Sequence, residues 1–507
     1  MSAFLQDLRY ALRTLAKSPG FTLAAILGLS VGIGLNTVMF SIVDSVLLKP
    51  LPYPRAERLL MAQVVQKSTR QPWATATPDF RVFREQNRSF AFLASFYTRP
   101  LNLTGKGEEP ERARGLIVSP EFFDVLGWRP ALGRGFVHND EVWGSHQVAI
   151  LSDGLWRRRF ASRPSALGET IRLDSLSYTV VGILPPGPSP LNIEADLVVP
   201  MSFAPGDNMD TRNNYFLTMV GRMKDGVGRE GTAADMSSIM AGLERSFPED
   251  KDLGVDVTPM REALVGNSRA RVLVLMGAVA FVLLIACANL ASLLFSRGLA
   301  RRREIAIRTA LGASRTRLVA QLLTESLLLA LAGGCGGLVL SAWSAGAVRV
   351  LGERLAPGAG TLSVNGPLLV FALAVSLLTG VLFGVAPALE ATHGSLHQDL
   401  SEERHEGGSA GRRRARQATV VVEVALSLML LIGSGLMLKS LHRLTQVRPG
   451  FNAHNLLTAQ ISISEEKYVD RRLAQAFSRD AFIRANGFFD AVVAGVRAVP
   501  GVRSAGL

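Results

Sequence analysis

The chain has 507 residues, 48% hydrophobic and 19% charged, and a net charge of +13 at pH 7. Its two cysteines, Cys287 and Cys335, both lie in long apolar segments, which excludes a secreted scaffold held together by disulfides. The region 49–269 holds 27 basic and 26 acidic residues, so the positive excess lies beside the apolar segments and nucleic acid is not an expected partner.

Five apolar segments exceed the roughly 18 residues that a membrane-spanning helix needs. The first, 21–48, follows a basic amphipathic N-terminus over 1–20. A secretory signal is the alternative for this segment, but the apolar run is about twice as long as a signal core, which favours an uncleaved anchor. The sequence predicts a multi-pass α-helical membrane protein in the lipid bilayer with about five spans, at 21–48, 270–296, 318–350, 367–390 and 418–441.

Basic residues accumulate on one side of these spans. Arg9, Arg13 and Lys17 precede the first span, and seven arginines with one acid occupy 297–317. A further arginine cluster lies in the linker 391–417. Because positively charged loops stay in the cytoplasm, we predict an inner-membrane protein with its N-terminus, 297–317 and 391–417 inside. The regions predicted to lie outside are 49–269, the turn 351–367 and 442–507.

The large outer region reads as an α+β domain. Strand-like and helix-like segments are mixed without a regular βαβ period, so a doubly wound sheet is not expected. Thr77 is predicted to cap a helix that has Pro78 at its first position. Strands are expected at 59–65, 148–151, 170–173, 178–184, 216–223 and 255–259, and helices at 77–85, 121–126 and 232–246.

Catalytic and metal-binding patterns are missing from the sequence. There is no glycine-rich loop followed by Lys-Ser or Lys-Thr, and the seven histidines do not cluster with cysteines or carboxylates at ligand spacing. The run from Gly28 to Gly32 matches a nucleophile elbow around Ser30, but it lies inside a span, where small residues at four-residue spacing favour close helix packing. We therefore predict no enzyme activity, no metal and no cofactor bound by this chain.

Two polar residues lie inside predicted spans. A carboxylate at mid-bilayer costs roughly 2.5–3.5 kcal/mol on insertion scales, so Glu423 needs a partner. It lies near the start of its span, and contact with the arginines of 412–416 is favoured over a relay role. Asn36 is deeper, and an interhelical hydrogen bond is favoured over a substrate contact. The glycine run 333–337 is expected to allow a bend or close packing.

The segment 297–317 carries more than positive charge. Four of its residues recur at steps of four, three and four, which places them on one helical face. Gly312 is suited to ending that helix. The alternative is a plain positively charged anchor that touches lipid head groups. This alternative explains the arginines, but it does not explain the apolar stripe as well. We predict a docking surface made of Ala300, Arg303, Glu304, Ile307, Arg308, Leu311 and Gly312.

Sequence motifs then suggest a family. The run from Arg302 to Ala313, with Gln321 and Glu325-Ser326 downstream, resembles the signature of FtsX-like permease domains, here over 270–390. The resemblance implies that 297–317, the coupling segment, connects the membrane helices to a separate ABC-type ATPase subunit. The outer region resembles the MacB-type periplasmic core domain. The motifs that carry this second resemblance are 118–127, 132–134, 155–160 and 178–185.

The resemblance implies a non-catalytic permease subunit of an ABC-type transporter, working in export or in envelope mechanotransmission. The alternative is a membrane-anchored receptor or scaffold whose outer domain binds a ligand or protein without an ATPase.

The N-terminal motifs 7–13 and 17–22 resemble those of the duplicated orphan permeases. In agreement, Arg58–Gln63 recurs loosely as Asn455–Gln460, each just past a span. The region 442–507 is then expected to begin a second outer domain, with the chain incomplete at its C-terminus. The symmetric pair that such permeases form is expected either as a homodimer or as a pseudo-dimer within one full-length chain.

Overall fold

The computed structural model divides the chain into two compact units. The helical unit comprises Met1–Lys49 and Asn267–Leu456, and the sheet unit comprises Pro50–Gly266 and Leu457–Leu507. The structure describes residues 2–49, 51–104, 110–174, 176–187, 190–266, 268–300, 307–308, 314–355, 365–392, 410–445, 456–458, 461 and 479–506.

Long helices make up the helical unit, and shorter ones support the sheet. A π-helical turn, Asp44–Leu48, follows the second helix. The helices are α1 (Ser2–Ala16), α2 (Pro19–Val43), α3 (Thr77–Gln86), α4 (Phe122–Leu126), α5 (Asp153–Phe160), α6 (Arg229–Ser246), α7 (Met260–Val265), α8 (Ser268–Ala300), α9 (Arg315–Leu355), α10 (Gly366–Thr392), α11 (Ala410–Thr445) and α12 (Arg479–Arg497).

Four helical stretches are long and apolar enough to cross a membrane. They are Pro19–Val43, Val272–Leu294, Thr316–Ser344 and Glu423–Ser440. The remaining expected span is also helical, but the apolar stretch described in α10, Gly366–Leu382, is shorter. A multi-pass membrane protein is therefore confirmed, with four candidate spans by length and composition among the residues that the structure describes.

Glycines allow α2 and α9 to touch along their backbones. A Cβ atom added to Gly337 would lie 2.9 Å from the nitrogen of Gly34 and 3.2 Å from its Cα. The glycine run of α9 gives close packing here, since the helix continues without a break from Arg315 to Leu355. On α2 itself, Gly32 approaches α8, whereas the Cβ position of Gly28 has no neighbour within 4 Å.

The sheet unit is built on one twelve-stranded sheet. The strands are β1 (Leu59–Gln66), β2 (Pro72–Trp73), β3 (Thr75–Ala76), β4 (Phe90–Thr104), β5 (Glu111–Val118), β6 (Leu132–Gly133), β7 (Val148–Leu151), β8 (Thr170–Leu173), β9 (Leu176–Ile183), β10 (Leu197–Pro200), β11 (Tyr215–Met223) and β12 (Leu253–Pro259).

Neighbouring strands follow the order β12-β1-β11-β4-β5-β10-β7-β9-β6 across the sheet. Strand β2 pairs with β1, β3 with β11, and β8 with both β4 and β9. Two pairs are parallel, β5 with β10 and β7 with β9. The expected α+β domain is confirmed.

Each face of the sheet has its own apolar core, because successive side chains of a strand point to opposite faces. In β1, Leu60 and Ala62 join the core that includes Phe80 of α3 and Met236 of α6. The neighbouring Leu59 joins the second core on the other face. That second core is closed by side chains of α4 and α7, namely Phe122, Phe123, Val125, Leu126 and Met260.

One predicted helix cap is wrong. Ala76 occupies the N-cap position of α3, and Thr77 lies in the first turn. The Thr77 hydroxyl donates instead to the carbonyl oxygen of Met209 at 2.8 Å. A tertiary hydrogen bond in which the hydroxyl donates has replaced the local one in which it would accept from a backbone nitrogen of the helix, and the sequence alone does not reveal this exchange.

Asp235 ties α6 to the start of β4. Its Oδ2 accepts hydrogen bonds from the backbone nitrogens of Arg88 and Ser89, at 2.8 and 3.0 Å, and from Ser89 Oγ at 2.7 Å. Burial by itself raises the pKa of this carboxyl, but the hydrogen bonds from Ser89 and Arg88 outweigh burial. The pKa of Asp235 is therefore lowered in the folded state.

We expect Asp235→Asn to lower the free energy of unfolding by about 1–3 kcal/mol at neutral pH. Because the folded-state pKa is lowered, this stabilisation is present above the pKa of the unfolded chain and is lost as the pH falls through the folded value. Four of the five tryptophans lie in the sheet unit, so their fluorescence follows its unfolding in the full chain. A difference between variant and wild type that persists unchanged into acid would contradict the assignment.

Candidate functional site

The predicted docking surface is described only in part. Ala300 ends α8, and nothing is described of its side chain. Residues 307 and 308 are helical, with the Ile307 side chain 57% exposed and Arg308 half-buried. The other predicted docking residues lie outside the described part of the chain, namely Arg303, Glu304, Leu311 and Gly312.

Arg308 connects the coupling segment to two helices. Its Nη2 donates to the hydroxyl of Tyr10 on α1 at 2.8 Å, and its Nη1 donates to Oε1 of Gln321 on α9 at 3.3 Å. The guanidinium carbon also lies 4.9 Å from the centre of the Tyr10 ring, within the range of a cation–π contact. Arg308 is thus held by groups that sequence reasoning did not associate with it.

Two further arginines of the same segment contact α1 or its C-terminal end. Arg317 Nη2 lies 2.9 Å from Asp7 Oδ1, and the Asp7 side chain is only 14% exposed. Arg297 Nη2 donates to the Thr14 carbonyl oxygen at 2.9 Å and to Ser18 Oγ at 2.7 Å. Three of the seven arginines in 297–317 therefore fasten the segment to the N-terminal helix. We call these contacts of Arg297, Arg308 and Arg317 the α1 brace.

The spacing of residues along α1 explains how one short helix contacts all three arginines. Asp7, Tyr10 and Thr14 recur at steps of three and four, so they share one side of the helix. Ala11 and Leu15 are buried next to them, and Leu15 belongs to a core that includes Leu29 of α2. A signal was available in the sequence, since Asp7 is the only acid among the first 43 residues.

The intramembrane polar residues have different surroundings. Asn36 is 8% exposed, and its Nδ2 donates to the carbonyl oxygen of Val279 on α8 at 3.0 Å and to that of Gly32 at 2.8 Å. Glu423 is half-buried on α11, and nothing is described of the side chains at 412–416. Ser30 lies within continuous α2 against Gly336, rather than at the strand-to-helix turn that a nucleophile elbow requires.

The sheet unit has an aromatic cleft that sequence reasoning missed. Trp143 stacks on His146, with ring centres 4.5 Å apart and planes at 17°. The Nδ1 of His146 accepts a hydrogen bond from the nitrogen of Gly144 at 3.2 Å, which fixes the ring within its loop. The cleft has a volume of about 40 Å³, enough for a few water molecules. Its other walls include Tyr97, Arg99, Tyr178 and Phe203.

Models of two known domain families match the chain. Residues 22–239 match the model of the MacB-like periplasmic core domain, and residues 276–396 match the model of the FtsX-like permease C-terminal domain.

Similar proteins include a macrolide export ATP-binding/permease protein MacB from Burkholderia thailandensis. It is 29% identical over 280 residues, covering 54% of this chain and 41% of the relative. A pyoverdine export ATP-binding/permease protein PvdT from Pseudomonas syringae pv. tomato is 27% identical over 271 residues, covering 53% of this chain and 39% of the relative. The matched part of the chain thus spans about two fifths of the length of these relatives.

Among solved structures, the periplasmic region of MacB from Actinobacillus actinomycetemcomitans is 15% identical, with a TM-score of 0.32 and coverage of 41% of this chain and 91% of that one. The extracellular domain of the transporter YknZ is 14% identical, with a TM-score of 0.30 and coverage of 39% and 99%. The family assignment rests on the two sequence models, which confirm the resemblance seen in the motifs. The chain thus contains a MacB-like periplasmic core domain followed by an FtsX-like permease C-terminal domain.

Proposed function

We propose that this chain is a non-catalytic permease subunit of an ABC-type transporter in the inner membrane. A separate ATPase docks on the coupling segment from the cytoplasm, and the membrane helices pass its movement to the outer domain. The work done there is export of a molecule or action on another envelope component. The proposal includes the orientation with a cytoplasmic N-terminus and the domain boundaries predicted from the sequence.

The α1 brace is the observation that carries the proposal. Arg308 and Arg317 are held by Tyr10 and Asp7, while the side chain of Ile307 remains 57% exposed. A segment that transmits force needs fixed attachments and a free surface for its partner. An apolar side chain exposed beside anchored arginines meets both needs, since interfaces gain most from apolar groups that are buried on binding.

The helices on either side of the segment support transmission. Segment 297–317 joins the end of α8 to the start of α9, and both helices pack against α2. The contact of Gly34 with Gly337 holds α2 close to α9, and the hydrogen bond from Asn36 to Val279 holds α2 close to α8. A displacement of the segment would therefore move α2, which leads directly into the outer domain, rather than being absorbed by loose packing.

Co-purification of an ABC-type ATPase with the full chain tests the proposal. We expect Ile307→Asp to reduce the amount of bound ATPase by at least about tenfold, because a charge would be buried in the interface. Ile483→Asp is the matched control, since Ile483 is 56% exposed in the sheet unit and is changed in the same way. ATPase recovery that is equal in both variants would overturn docking through this segment.

The aromatic cleft is the observation that favours the second candidate, a membrane-anchored receptor or scaffold. Trp143 is 37% exposed at the cleft, and the nearby Val137 and Val142 are 48% and 55% exposed. Exposed apolar groups beside a concave aromatic surface are typical of binding sites. This candidate predicts that the purified chain binds a ligand or envelope protein through Trp143 while no ATPase accompanies it.

Pairing of two permease halves is part of the proposal as well. No described side chain of Glu423–Ser440 in α11 is buried, and large apolar residues are exposed around it, including Met429 and Leu436 at 62% and 63%. These side chains need lipid or another helix. A homodimer or a pseudo-dimer within a longer chain would each supply such a helix.

A further inference from the structure

The N-terminal helix presents a second functional side, away from the α1 brace. Successive residues of an α-helix are rotated by about 100°. Arg9, Arg13 and Lys17 follow one another at steps of four, so they form a single stripe along α1 and its last turn. All three are exposed. This stripe lies on the side of the helix opposite to the buried residues Ala11 and Leu15.

The stripe is uncompensated in the described part of the chain, where none of its three side chains forms an ion pair with a carboxylate. Asp7, on another side of α1, is already engaged by Arg317 at 2.9 Å. Next to the stripe, Leu12 is 54% exposed. A row of cations beside an exposed leucine is the arrangement that an interfacial helix presents to a membrane surface, with charges toward the head groups and the apolar side chain toward the acyl boundary.

The position of α1 along the chain brings this side to the membrane surface. Helix α1 ends at Ala16 and the span in α2 begins at Pro19, and three residue steps reach at most about 11 Å. Thr22 Oγ1 donates back to the Leu15 carbonyl oxygen at 2.8 Å, which holds the junction together. Lys17, at the C-terminal end of the basic stripe, is therefore held close to the level at which the first span enters the bilayer.

We propose that Arg9, Arg13 and Lys17 form a binding surface for anionic phospholipid head groups of the cytoplasmic leaflet. The inference rests on the proposed function for its orientation, with the N-terminus inside. Arginine donates to phosphate oxygens in a bidentate manner, and lysine supplies a compact positive charge. Because α1 also bears the brace to the coupling segment, lipid charge would act on the helix that positions the ATPase docking site.

Intact-protein mass spectrometry of the full chain, released from bilayers with equal amounts of phosphatidylglycerol and phosphatidylcholine, measures the preference directly. We expect wild type to retain mainly phosphatidylglycerol. The variant Arg9→Gln with Arg13→Gln and Lys17→Gln should lose this preference by on the order of tenfold. The matched control removes three exposed charges from the sheet unit, through Arg70→Gln, Arg88→Gln and Lys224→Gln, and should behave as wild type.

A second variant keeps the charges, with Arg9→Lys and Arg13→Lys, and is expected to keep most of the preference. Equal lipid ratios in wild type and the triple glutamine variant would overturn the proposal, as would an equal loss in the sheet-unit control. The measurement needs no ATPase. Failure of lipid selectivity is therefore distinguishable from failure of the proposed permease function, which ATPase co-purification tests.

Discussion

Replacing Gly337 with leucine is expected to force α2 away from α9 and to destabilise the helical unit by about 3 kcal/mol, near the upper end of the cost of overpacking. A Cβ atom at this position meets the backbone nitrogen of Gly34 at 2.9 Å and the carbonyl oxygen of Ser30 at 3.2 Å. Backbone atoms cannot move aside as a flexible side chain can. The helices themselves must therefore separate.

Cys287 provides the measurement for this variant. It is 1% exposed on α8, so a thiol-reactive fluorescent dye labels it only when the helices open on heating. Cys335 is exposed and is replaced by serine in all samples to remove its signal. Gly28→Leu is the control, because it makes the same change on α2 at a position with no neighbour within 4 Å. Equal melting temperatures for the two variants would show that the α2–α9 contact does not determine stability.

The sequence predicted the long helices well because their signal is local. An uninterrupted apolar run such as Val272–Leu294 has the length that a bilayer demands, and no distant residue is needed to recognise it. A short apolar run such as β1 was equally easy to predict as a strand. The longest strand, β4, was missed, because its pattern of buried and exposed residues is irregular and it contains Pro100.

The contacts between residues far apart in the chain were the part of the candidate site that could not be predicted from the sequence. Arg317 and Asp7 are separated by 310 positions, and Arg308 and Tyr10 by 298. The positive-inside rule already accounted for the arginines, so the lone acid Asp7 was not recognised as a partner for one of them. Their role as attachments became visible only when α1 and α9 were placed together. The aromatic cleft was not predicted from the sequence for the same reason, since Tyr97, His146 and Phe203 come from three distant parts of the chain.

Removing the α1 brace is expected to release the coupling segment. In Asp7→Ala with Tyr10→Ala, two arginines lose charge-assisted hydrogen bonds worth about 1.5–3 kcal/mol each before solvent exposure is considered. Arg317 is 43% exposed, so screening by water reduces the effect at that pair. We expect amide hydrogen exchange within 297–317 of the full chain to become on the order of tenfold faster, and ATPase recovery to fall.

Gln6→Ala is the control for the brace, since Gln6 is exposed on the same helix and should leave hydrogen exchange unchanged. Exchanging the charges, with Asp7→Arg and Arg317→Asp, separates a specific pair from a general loss of helix α1. If the pair itself holds the segment, Arg317→Asp alone should accelerate exchange and the exchanged pair should slow it again. If acceleration remains in the exchanged pair while α1 stays helical, the segment is held by other contacts, and the brace would not be the element that positions it for the ATPase.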